Sequence, residues 1–315
     1  MNNKIILEKL KEISKNLETT AYDEILEILE NIDISGILCY KIPKNRYIFR
    51  GRPCERDDFT NESQISYRKK EEVKYFGRAH KPYFPMFYGA IAMKKNDEPI
   101  ITNYTEILEI FKHKIPTTGE NDLTIGRWRV INDLYVLLMI FKKDYLAKNK
   151  QFYNLYNGYI NHIKSLNVNK DALAILEFIS EEFAKPIISN DNEYKISAAF
   201  TEILFKRSKY EIDGIIYPSV RCEGENFNIA LTPKAVDNRL KLECVLTTRI
   251  YYYNNKRITI DNLKIGDVDS ISNKFELKTP INDPRFNIGK EKLFKIQEQL
   301  INSQIRDNIL KKDKH

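Results

Sequence analysis

Glycine is scarce, eleven in 315 residues, and neither G-x-G-x-x-G nor G-x-x-x-x-G-K-[ST] occurs. That removes the usual signatures of a Rossmann dinucleotide site and of a P-loop, so a nucleotide would have to be held by another fold. The four cysteines, Cys39, Cys54, Cys222 and Cys244, stand alone, without a C-x-x-C pair or neighbouring histidines. Neither a structural zinc site nor a disulfide framework is indicated, and a reducing cytoplasm fits such residues. No apolar run approaches the ~18 uninterrupted residues of a membrane span. Met1 leads into a charged amphipathic stretch and not into a signal peptide, so a soluble cytoplasmic chain is expected. Neither sign of charge dominates: 51 basic against 44 acidic residues leave +7, spread along the chain. Such an excess serves either solubility or attraction to phosphorylated ligands. What is present is a 42% apolar share, enough for one large or two modest cored domains.

Ile6, Leu10, Ile13 and Leu17 recur at the spacing of one helical face, and Ile25, Leu26, Leu29 and Ile32 continue the period. Two helices are predicted, the second opened by a capping box of Thr20 and Asp23 and ended by Gly36; they read as a helical cap over residues 1–36 packed on the main domain. Residues 37–270 follow as a mixed β domain, with strands near Tyr47–Phe49 and Phe87–Tyr88 and a short helix from Thr105 to Lys114, closed by Pro116 and Gly119. Trp128 to Phe141 reads as a buried strand pair. A helical insert over 148–209 is predicted in three segments, Phe152–Leu166, Asp171–Phe183 and Tyr194–Lys209, with a break near Pro186. Buried strands are then expected at Asp213–Pro218 and Asn228–Leu231, and a hairpin at Arg249–Ile260 turning on Asn254-Asn255. A helical tail over 271–315 carries Leu293, Ile296, Leu300 and Ile301.

Three segments carry polar residues that a core does not ask for. In Tyr47-Ile48-Phe49-Arg50-Gly51-Arg52-Pro53, strand alternation puts Arg50 and Arg52 on one side. Two guanidiniums there suit a pyrophosphate, whose oxygens their planar forks can hold in pairs; the plainer alternative is two solvated edge charges. The second segment runs through Gly77-Arg78-Ala79-His80-Lys81-Pro82, Tyr88 among small neighbours, and Glu106 and Glu109. Taken singly, Tyr88 reads as a core tyrosine, Glu109 as a solvated helix carboxylate, and His80 and His113 as ordinary surface or loop histidines. In the third, Pro218 forces extended backbone before it, so that Ser219 lies where a buried strand emerges. No G-x-S-x-G surrounds Ser219, so it is no nucleophile elbow and would act by hydrogen bonding.

In order, Tyr47–Pro53, Gly77–Pro82, Phe87–Ala90, Ile107-Leu108-Glu109, Gly126-Arg127-Trp128-Arg129-Val130 and Asp213–Arg221 with Phe227–Leu231 downstream resemble the RES domain over about Tyr40 to Val245. The resemblance implies an α+β, ADP-ribosyltransferase-like fold that binds NAD as substrate and breaks its nicotinamide–ribose bond, without a metal. Several relatives are NAD-depleting toxins, which implies an inhibitory protein partner. Carried over by motif, the family's Arg is Arg50, its Glu is Glu109 and its Ser is Ser219. Tyr88 is the pocket tyrosine, and Arg52 and Arg78 are phosphate contacts. Two departures stand out: His80 occupies a position where relatives often have Asn, and Glu106 competes with Glu109 for the acidic role. The alternative is a non-catalytic basic module for nucleic acid, in which Tyr251-Tyr252-Tyr253 stack bases beside Lys256 and Arg257.

Overall fold

In the computed structural model the described residues are 3–32, 39–54, 58–93, 99–107, 118–148, 150–165, 170–185, 190–208, 211–222, 224–253 and 257–312. The chain opens with α1 (Asn3–Ile13) and α2 (Tyr22–Leu29) and passes through β1 (Cys39–Ile42), β2 (Tyr47–Pro53), β3 (Phe87–Ile91), α3 (Pro99–Ile107), β4 (Gly119–Val130) and β5 (Leu134–Leu138). The helices α4 (Lys143–Lys148), α5 (Lys150–Ser165), α6 (Lys170–Phe183) and α7 (Lys195–Arg207) come next. Then follow β6 (Gly214–Pro218), β7 (Phe227–Leu231), α8 (Pro233–Arg239), β8 (Leu240–Tyr253), β9 (Arg257–Asp267) and α9 (Lys290–Lys312). The class is α+β with mixed strand directions, as expected. Among the described residues no helix is long and apolar enough to cross a membrane.

Two compact units divide the chain. The first takes Met1–Phe49, Ser66–Asn103 and Trp128–Lys241. Its strands run in the order β1-β5-β6-β7-β3-β2. β5 and β6 are parallel, while β1·β5, β6·β7, β3·β7 and β2·β3 are antiparallel. Parallel neighbours cannot be joined by a tight turn and need a long crossover. α4 to α7 are that crossover, so the predicted helical insert is the link between two adjacent strands. Its apolar face is core: Ile175, Ile179, Phe183, Phe200 and Ile203 pack with Leu137, Ile215 and Ala230 of the strands and with Ile6, Leu10, Ile25 and Leu29 of α1 and α2. Each such side chain contributes about 1.5–3 kcal/mol when fully buried, so the opening helices are part of the core and not an ornament on it. A buried lysine ties them down, Lys195 Nζ donating to the carbonyls of Leu17 and Thr20 at 2.8 Å each.

The second unit takes Arg50–Ile65, Tyr104–Arg127 and Leu242–His315, with strands in the order β2-β4-β8-β9. Here β8 and β9 form a long antiparallel hairpin, paired from Tyr253 with Arg257 back to Cys244 with Asp267. Arg249 on β8 grips Asp122 on β4 with both ends of its fork, at 2.6 and 2.8 Å. On α9, Leu293 is buried while Ile296 is exposed.

Several local expectations are corrected. The capping box at α2 does not form: Ala21 is the N-cap, and Thr20 Oγ1 donates back to the Asn16 carbonyl at 2.9 Å. α3 starts at Pro99 and not at Thr105, because proline suits a first helical turn. Gly119 is the first residue of β4. β4 and β5 are not partners, since β5 lies between β1 and β6. α8 was not anticipated, although Thr232-Pro233 announces it: the threonine hydroxyl accepts from Ala235 N and the proline takes the first turn. Gly36, Glu109, His113, Lys114, Pro116, Pro186, Asn254, Asn255 and Lys256 lie outside the described residues.

Candidate active site

Gly77-Arg78-Ala79-His80 closes a tight turn through two backbone bonds, Gly77 N to His80 O at 2.9 Å and His80 N to Gly77 O at 3.2 Å. Arg78 donates to the carbonyls of Phe183 (2.6 Å) and Lys185 (2.9 Å), and its guanidinium lies 5.0 Å from the centre of the Tyr194 ring. Those carbonyls end α6, where backbone acceptors lack helical partners and the negative end of the helix dipole favours a cation. Ala79 N donates to the Tyr88 hydroxyl at 3.0 Å, and His80 Nδ1 lies 2.6 Å from the same oxygen. The imidazole also covers Gly77, where a Cβ would fall 2.2 Å from His80 Cε1.

Tyr88 stands on β3 opposite Ala230 of β7, and Ala90 stands opposite Asn228, which in turn faces Tyr217 of β6. Cross-strand partners share a face, as do residues two apart, so Tyr88, Asn228 and Tyr217 point together toward the helices. Tyr88 is half-buried there and Asn228 is buried. The Tyr217 ring packs 5.7 Å from Phe183 at the end of α6. Two residues later Ser219, fully buried, opens the loop back to β7: its N donates to Asn226 O (2.8 Å), its O accepts from Gly224 N (2.9 Å) and its Oγ accepts from Cys222 N (3.3 Å). Gly224 has φ +82° and no room for a Cβ, which would lie 2.5 Å from the Tyr145 ring, so glycine is required at that turn. Ala184, just past α6, clusters with Val220 and Tyr145. The first unit thus gathers the Arg78 turn and the Ser219 loop at one place, the C-terminal end of α6. Glu182 sits at the same end, buried, paired with Lys185 at 2.6 Å, its carboxyl pushed up by burial.

Arg50 and Arg52 belong to the second unit, as does Glu106. Arg50 is buried and Arg52 partly so, and strand alternation keeps both on one side of β2. Glu106 is partly exposed on α3. The aromatic run offered for nucleic acid presents no open platform at its first residue: Tyr251 is buried, 6.0 Å from the Phe294 ring, with Lys290 Nζ 5.8 Å from its centre.

Residues 160–253 match the RES domain. The RES match starts within α5 and ends with β8, so it holds α6, α7, β6, β7 and Ser219, whereas the motifs from Arg50 to Glu109 precede it. The matched stretch covers the later part of the span from Tyr40 to Val245 that the motifs suggest, and runs eight residues beyond it. No curated protein matches the chain.

His80 is the residue whose part sequence reasoning missed. It is no plain loop histidine but a partly buried one, fitted over Gly77 and bonded to Tyr88. The available signal was the spacing Gly-x-x-His ahead of a tyrosine with small neighbours. Burial lowers its pKa from 6.5 to about 4, a backbone hydrogen bond with Tyr75 opposing and the Arg68 charge assisting. The folded protein therefore holds this ring neutral where an unfolded chain would bind a proton. Its contribution to stability is complete above pH 6.5 and is lost as the pH falls toward about 4. The span between those two values caps the loss at roughly 3 kcal/mol. Urea unfolding at pH 7 and at about pH 4.5 should show a larger drop for the wild type than for His80→Asn, which has no imidazole to protonate; equal drops would contradict it.

Proposed function

We propose that the protein consumes NAD by breaking its nicotinamide–ribose bond, on an ADP-ribosyltransferase-like arrangement of its strands. The observation that carries this reading is the RES match, which contains Ser219 and the two strands that frame it. Departure of nicotinamide leaves an oxocarbenium-like sugar, and the base leaves neutral, so no strong general acid is needed. The task is placement of charge. Glu109 would hold the ribose hydroxyls and offset the growing positive charge, since fixed opposite charge in a dry site acts where charge develops. Arg50 and Arg52 would take the pyrophosphate, with Arg78 as a further phosphate contact once two of its five N–H donors have served α6. Tyr88, anchored at its hydroxyl, would wall the nicotinamide ring with its face, and Ser219 would orient the ribose. Water, phosphate or a protein side chain then bonds to the ribose carbon that nicotinamide has left. As an NAD-depleting toxin of the cytoplasm, the protein would be held in check by an inhibitory protein.

Incubation of the purified protein with NAD should release nicotinamide in step with the NAD lost, and Glu109→Gln should slow release by about 10²–10³-fold. A wild type that leaves NAD intact, while binding RNA or DNA with a steep salt dependence, would favour the nucleic-acid module instead.

A further inference from the structure

We infer that His80 is a positioning residue for Tyr88: seated on Gly77, it accepts a hydrogen bond from the phenol on Nδ1 and fixes the ring that the proposed NAD chemistry uses. The inference rests on that functional reading and adds a residue to it. Ala79 N–H can only donate, so at 3.0 Å it occupies the Tyr88 oxygen as acceptor. The phenol's own proton then has a partner in His80 Nδ1 at 2.6 Å, provided that nitrogen carries no hydrogen. A neutral imidazole has one nitrogen without a hydrogen, and the contact with a phenol that can donate assigns that nitrogen as Nδ1. The imidazole is itself held. It meets the Tyr88 ring edge-on, centroids 5.5 Å apart and planes at 61°, and its atoms fill the space a Cβ on Gly77 would need. The paired turn from Gly77 to His80 sets the backbone beneath it. Tyr88 is therefore pinned at its far end by two bonds from one turn.

The test is a double-mutant cycle on nicotinamide release. His80→Ala should lower kcat by about 10–100-fold, the range expected when a reacting group is misplaced by a fraction of an ångström to an ångström, with KM little changed. His80→Asn should recover most of the loss, because its amide oxygen stands one bond from Cγ, as Nδ1 does. Gly77→Ala, which displaces the imidazole without touching Tyr88, should mimic His80→Ala. In a Tyr88→Phe background, which has no phenolic proton to place, His80→Ala should have no further effect. A second readout needs no turnover: the ¹⁵N spectrum of the free protein should show Nδ1 of His80 without a proton at pH 7, and shift in Tyr88→Phe. Full activity in His80→Ala, an undiminished effect in the Tyr88→Phe background, or a protonated Nδ1 would each overturn the assignment while leaving NAD cleavage intact. A wild type inert toward NAD would overturn the functional reading, and this positioning role with it.

Discussion

Gly214→Ala is expected to destabilise the protein by about 3 kcal/mol or more, near the top of the range for overpacking. A Cβ there would lie 2.1 Å from the Ala230 carbonyl oxygen and 2.7 Å from a Leu231 methyl. The first obstacle is backbone, committed to the β6·β7 ladder in which Gly214 faces Leu231, and both strands are buried along their whole length. Nothing flexible can swing aside. The strand start is also fixed from behind: Asp213, buried, accepts from Tyr135 N at 2.7 Å and pairs with Arg239 Nε at 2.8 Å. Ser219 lies at the other end of the same strand, so activity should fall with stability. Gly158→Ala is the natural contrast. Nothing lies within 4 Å of a Cβ at that helical position, and the exchange should stabilise by roughly 0.5–1 kcal/mol. Urea midpoints measured side by side check both; a loss below about 1 kcal/mol at Gly214 would mean that the strand pair can shift.

The second large effect is expected at Arg50. The residue is only 8% exposed, and a charge on so covered a side chain is costly unless anionic or polar groups meet it. Arg50→Ala should lower kcat/KM for NAD by about 10²–10³-fold, the usual consequence of removing a donor aimed at charge in a water-poor site. Arg50→Lys should recover little of this, since a point charge cannot hold two phosphate oxygens as a planar fork does. Steady-state kinetics, with unfolding midpoints to separate folding from function, decide the matter. Wild-type turnover in Arg50→Ala would remove the pyrophosphate role.

Much of this was legible because the forces concerned are local. The apolar spacing of Ile6, Leu10 and Leu17, the three helices before β6, and the run Asp213–Pro218 all register burial along a single element. Pairing was not legible. Trp128–Phe141 has the composition of buried strands, but nothing in it says that β5 seeks β1 and β6. Thr20 had the right chemistry to accept a cap bond, but its hydroxyl turns back and donates to the Asn16 carbonyl. The surroundings of His80 were hidden for a related reason, because its contacts are a tyrosine eight residues on and a glycine three residues back, and only the folded turn brings those together. Arg78 could be read as cationic, yet not as the group that closes α6.

Lys195 has one more consequence. The residue is 8% exposed, and its ammonium has its acceptors on the segment between α1 and α2, far upstream in the chain. Cutting the gene down to the stretch similar to the RES domain would strand that cation in a dry place and bare the apolar flank of α6 and α7. The matched stretch thus shares its core with helices that lie outside it, and a chain cut to that stretch is expected to lose stability and solubility.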